Sequence, residues 1–264
     1  MENCGYAYLK YQDNAPVPLN DILHDFGKFV TEKLQTSEIE LLDEDSFSTD
    51  SGKYMENNTE LLEFTCQVLT TFGEAYLDYF ILHWWHVQKY IFKYDNPSDC
   101  KVACYLLSDL IEHGGLKGRV HYEPCIPYIM NNLEESELVH VTIYIFGLIA
   151  EYNETMFFRF KDNIVNGLCD IGKQERNGDN NSEIDNAILG LGKIITYYYD
   201  CIDIDIDEIM SIWLQNMPAL VDEIPSTTEQ FKYFQSNNAP EKIRHCICKN
   251  DNGNISRINN SILN

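Results

Sequence analysis

EIDNAILGLGKIITYYY, residues 183–199, is the stretch that decides the fold. Ala187, Leu191, Ile194, Ile195 and Tyr198 recur at three-to-four spacing, which puts them on one face of a helix. Upstream the pattern returns three times. In ELLEFTCQVLTTFGEAY (60–76) the stripe is Leu62, Thr65, Val68, Leu69 and Phe72; in DCKVACYLLSDLIEHGG (99–115) it is Ala103, Leu106, Leu107, Leu110 and Ile111. ELVHVTIYIFGLIAEY (137–152) is apolar almost all round, as expected of a helix with neighbours on both sides. Leu62, Ala103, Ile143 and Ala187 are equivalent points at a spacing of roughly 40 residues, the period of HEAT-type helical hairpins.

A second helix follows each of these after a short break. Leu77, Phe80, Ile81, Trp84 and Ile91 line one, and Tyr122, Ile126, Ile129, Met130 and Leu133 the next. Phe157, Phe160, Ile164 and Leu168 line the third, and Ile206, Ile209, Met210, Trp213 and Met217 the fourth. Gly114–Gly115 ends a helix in the left-handed region, Pro218 stops another, Pro124 opens a first turn, and Pro127 kinks its helix. Trp84 and Trp85 point about 100° apart on a helix, so one is core and the other partly exposed. The fold class is all-α: a HEAT/ARM-type α-α superhelix, a right-handed solenoid of antiparallel helix pairs. A single repeat cannot bury its apolar face alone, so neighbours share one core and leave two long surfaces for partners.

The ends are less regular. Residues 1–59 read as an irregular acidic segment with one helix at 18–34, and 38–59 as an exposed acidic loop. Residues 60–236 hold four to five helix pairs in one continuous array, and 237–264 form a polar, disordered tail.

With 42 acidic and 19 basic side chains the net charge is −23, which disfavours direct nucleic-acid binding, since phosphate contacts need a basic face. A basic protein partner is the natural complement. No apolar run approaches the roughly 18 residues of a membrane span, and the start, MENCGYAYLK, has no secretory pattern, so membrane insertion is not expected. Nine cysteines without regular spacing, among them Cys66, Cys104 and Cys169 within helical stripes, read as reduced core residues of an intracellular protein.

DNAILGLGKIITYYYDCIDIDIDEIMSIWLQNMP (185–218) resembles the C-terminal repeats of importin-β type nuclear transport receptors, most of all the importin beta-3 (Ran-binding protein 5) branch. The resemblance rests on Asp185, Asn186, Ala187, Gly192, Lys193 and Ile194, then on Trp213, Leu214 and Pro218. SDLIEHGG (108–115) adds Asp109, Ile111, Glu112 and His113; YIFGLIAEYN (144–153) is similar to the family's Tyr-Gly-Leu-Gly stretch, with Ile145 and Phe146 in place of small residues. The likeness covers about residues 60–235, and a full receptor is several times longer. It implies an α-solenoid that shuttles between cytoplasm and nucleus, carries basic cargo with nuclear localisation signals and binds Phe-Gly nucleoporins. It also implies release of cargo to Ran-GTP by the full-length receptor, through repeats mainly outside the covered part.

In such receptors the second helix of each pair lines the concave face. Carried over, this gives Glu123, Asp162, Asp170, Asp205 and Glu208 as cargo-binding candidates. The plainer reading of Asp203, Asp205 and Asp207 is that carboxylates favour the positive end of a helix. Tyr144, Tyr152 and Tyr197–Tyr199 are candidate rims for Phe-Gly pockets. Neither a metal, a cofactor nor catalytic residues are expected. Glu137-x-x-His140 lacks the second pair that a di-iron bundle needs, and His245, Cys246 and Cys248 lack a further zinc ligand. A HEAT subunit of a phosphatase or coat complex is the alternative scaffold; a carboxylate-bridged metal enzyme is the alternative of another class.

Overall fold

The computed structural model describes residues 18–43, 52–93, 97–201, 203–217, 225–236 and 238–250. Among them the chain is all helical, and the helices pack as pairs of the HEAT/ARM type. By packing, the chain divides into two compact units, residues 1–131 and 132–264.

Unit 1 opens with α1 (Leu19–Asp43), α2 (Gly52–Phe72) and α3 (Glu74–Val87). Leu23, Val30 and Leu34 bury one stripe of α1. Gly27 lets α1 close on α3, because a Cβ there would lie 2.8 Å from the Tyr79 Cβ. Between the two helices sits His83, fully buried, with Tyr76 Oη at 3.0 Å from Nε2 and Thr31 Oγ1 at 3.2 Å from Nδ1. Burial, and then the neighbouring His86, pull its pKa down to about 4, so the ring is neutral at pH 7. α4 (Lys89–Lys93), α5 (Pro97–His113), α6 (Gly115–Tyr122) and α7 (Ile126–Ile129) follow. Gly73 and Gly115 make the turns into α3 and α6 at φ of 53° and 57°, a region that favours glycine. α2 stacks on α5 and α3 on α6, first helix on first and second on second.

The second helix of this unit's second pair is broken more than a kink requires. α6 ends at Tyr122, Glu123–Cys125 form a 3-10 turn holding Pro124, and Pro127 lies within the short α7. Two prolines three residues apart each remove a backbone donor, so no long α-helix spans them.

Unit 2 contains a 3-10 turn at Asn132–Glu134, then α8 (Val139–Tyr152), α9 (Glu154–Arg159), α10 (Lys161–Gly172), α11 (Asn181–Tyr198), α12 (Ile206–Asn216), α13 (Pro225–Gln235) and α14 (Glu241–Asn250). α8 and α11 form its most extensive contact. They cross at Gly147 and Gly190, where a Cβ on Gly147 would stand 3.2 Å from the Gly190 Cα. Tyr198 stacks on Phe157 at 4.1 Å and donates to the Ala150 carbonyl. Trp213 is fully buried against Phe231 and Phe234, as its stripe predicts. Asp185, also fully buried, accepts from Arg176 Nη2 at 2.6 Å; the same nitrogen reaches the Asn216 carbonyl, which ties α11 to the end of α12.

The ends depart from expectation. Helix covers 38–43 and 52–59, where an exposed loop was expected; residues 44–51 lie outside the described residues. α14 occupies 241–250 in the expected disordered tail, and buries Ile243, Cys246 and Ile247, whose spacing is that of one helix face. Residues 1–17 and 251–264, and Pro218, also lie outside the described residues. Cys104 and Cys169 are buried thiols as predicted, and Cys66 is half-buried. Burial pushes the Cys169 thiol up to about 11.

Candidate functional site

Four of the five sequence-predicted carboxylates fall on the second helices of unit 2. Asp162 is in the first turn of α10 and Asp170 near its end; Asp205 precedes α12 and Glu208 lies in its first turn. All four are exposed. Asp205 is the N-cap of α12, its Oδ1 accepting from the Glu208 N–H at 3.0 Å. The plainer reading of that residue is therefore realised, alongside its exposure.

Lysines answer these acids from within the unit. Lys173 at the end of α10 donates to Glu208 at 2.8 Å, and that bond raises its pKa; Asp170 adds to the effect. Lys161 stands 4.0 Å from Asp162 and 3.9 Å from Asp203. On α14, Lys249 donates to Asp207, whose carboxyl is held below the usual range by that bond and by one from Cys246. Three ammonium groups thus link four carboxylates, Asp162, Asp203, Asp207 and Glu208, as rungs across α10, α12 and α14, and with Asp170 and Asp205 beside them the surface keeps an excess of negative charge. The Lys173–Glu208 pair lies half open to solvent and contributes about 0–1 kcal/mol. The sequence reading missed the rungs.

Glu123 belongs to unit 1, half-buried at the start of the 3-10 turn. Of the candidate tyrosine rims, Tyr198 is core, Tyr197 is half exposed and donates to Glu151, and Tyr144, Tyr152 and Tyr199 are half-buried. Trp84 is buried and Trp85 is 62% exposed, the division the sequence predicts without assigning it. Among the described residues no three His, Cys, Asp or Glu side chains gather to hold a metal ion, and no helix is long and apolar enough to cross a membrane.

Stacked helix pairs define a HEAT/ARM-type scaffold, and in unit 2 its second helices gather carboxylates. In sequence, the chain is similar to the "Probable importin-5 homolog" of Dictyostelium discoideum, with 30% identity over 124 residues. That match takes in 43% of this chain and 11% of the relative. No family model matches the chain. The likeness is to an importin-5 homologue over a small part of that protein, and it separates no branch among such proteins.

Proposed function

We propose that this chain is part of a nuclear transport receptor of the importin beta-3 kind, acting as a non-enzymatic scaffold that shuttles between cytoplasm and nucleus. Basic cargo with nuclear localisation signals binds the acidic surface of α10 and α12 by exchanging with Lys161 and Lys173. Phe-Gly nucleoporins bind elsewhere on the array, and Ran-GTP acts on the full-length receptor. The observation that carries this reading is the likeness to an importin-5 homologue, taken together with an exposed, acid-rich second-helix surface in unit 2. Opposite potentials steer such encounters and make affinity sensitive to salt.

Fluorescence anisotropy with a labelled nuclear-localisation peptide tests the proposal. Binding should weaken about tenfold in Asp170→Lys/Glu208→Lys, because two close like charges then face the peptide. It should also weaken on raising salt from 50 to about 300 mM. Peptide binding that ignores both changes would remove the acidic surface from the cargo site.

A further inference from the structure

A basic segment already lies on the acid-rich surface of unit 2, and it belongs to the chain itself. α14 (EKIRHCICKN) carries Lys242, Arg244 and Lys249 with His245, against the single acid Glu241, in a chain of net charge −23. It packs on α12 and α13. α12 is its opposite in charge. DIDIDE (203–208) holds four acids, and no Lys, Arg or His occurs from Asp203 to Met217. Ile243, Cys246 and Ile247 bury one face of α14. Beside that face, Lys249 and the Cys246 thiol both donate to the Asp207 carboxylate, and Lys249 also feels the charge of Asp205. The cations nearest Asp162 and Glu208 come from the other side, from Lys161 and Lys173. The seat of α14 is imperfect on its polar side. The Lys249 and Asp207 side chains are 55% and 43% exposed, and an ion pair in that setting is weak and screened by salt. Arg244 Nε is buried without a hydrogen-bond acceptor among the described residues, which works against the docked helix.

We propose that α14 is a built-in competitor for basic partner segments: Lys249 occupies Asp207 at the α12 end of the acidic surface, and a partner's cation takes that carboxylate when it binds. This rests on the cargo reading above and adds what holds the surface before a partner arrives. α14 has the chemistry of such a partner, cations beside an apolar face. It places one of those cations on a half-exposed carboxylate that lies between the cargo candidates Asp205 and Glu208 in sequence. The consequence is selectivity. A segment with few cations gains little by replacing Lys249, whereas a longer basic run also reaches acids that α14 leaves alone.

The probe is a labelled synthetic peptide rich in lysine and arginine, titrated against the full chain at one fixed salt concentration. Lys249→Ala should tighten binding by up to about fivefold, the most that an exposed ion pair is worth. Lys242 is exposed and makes no ion pair among the described residues, so Lys242→Ala removes an equal charge from the same helix and should change little. A double-mutant cycle gives the sharper reading. Asp207→Asn should barely alter binding to the otherwise wild-type chain, where the peptide's gain at Asp207 is offset by the loss of Lys249. In the Lys249→Ala background the same change should weaken binding by up to about fivefold. Equal tightening by Lys242→Ala would reduce the effect to net charge and overturn the proposal. So would an Asp207→Asn effect of the same size in both backgrounds. If Lys249→Ala leaves affinity unchanged while Asp170→Lys/Glu208→Lys still weakens it, the competitor falls and the cargo reading stands. A peptide that binds neither the wild type nor Lys249→Ala removes both.

Discussion

The second helices of the two units share a repeat and differ in what they show to water. In unit 1 they present leucine, valine and tryptophan among charges of both signs, Glu74, Asp78 and Lys117; in unit 2 they present aspartate and glutamate bridged by lysines. Their buried sides are alike, built from aliphatic and aromatic residues at three-to-four spacing. The repeat constrains the inward half of each helix through packing and leaves the outward half open to vary. What each helix shows to solvent is therefore set by the residues that periodicity does not determine.

The strongest way to sharpen the comparison is to damage one core and watch both. Trp213→Ala removes a fully buried ring and should cost about 3–5 kcal/mol. Hydrogen exchange should rise in α11–α13 and stay protected in α2–α5; uniform loss of protection would mean that the two units do not open separately. Asp185→Ala leaves the Arg176 guanidinium without its buried partner, and should cost about 3 kcal/mol in chemical unfolding. An unchanged midpoint would show that water replaces the carboxylate.

Acid should act on unit 1 through His83. Its folded pKa of about 4 lies below the ordinary 6.5, so the unfolded chain takes the proton first as pH falls. His83 adds no penalty above pH 6.5, and stability declines below it by on the order of 2 kcal/mol by pH 5. His83→Gln should flatten that slope, measured by urea unfolding at pH 7, 6 and 5. The smallest effect is expected at the rungs: Lys173→Ala should change stability by about 0–1 kcal/mol, since its pair with Glu208 is solvent-exposed. A larger loss would make the rung structural rather than exchangeable.

The paired-helix fold was legible because each buried stripe is local: Ala187, Leu191 and Ile195 identify their helix without knowledge of what covers them. α14 was missed although Ile243, Cys246 and Ile247 keep helical spacing, because the stripe is short and its charged, polar surroundings mask it. The carboxylates were readable as positions on second helices. Their lysines were not, since Lys173 reaches Glu208 across 35 residues and Lys249 reaches Asp207 across 42, and periodicity carries no information about such partners. The apolar surface of unit 1 was half visible: adjacent tryptophans cannot both face inward, but nothing in GLKGRVHY announces that Leu116 and Val120 face out.

At the crossing of α8 and α11 the backbones meet through Gly147 and Gly190 with no side chain between them. In a stack where each pair seats on the one before, a crossing this bare works as a fulcrum. One added methyl at Gly147 must move its neighbour by a few tenths of an ångström, which should loosen the seat of α11 on α8. Two missing Cβ atoms thus set how closely the helix that α12 packs on can seat against α8.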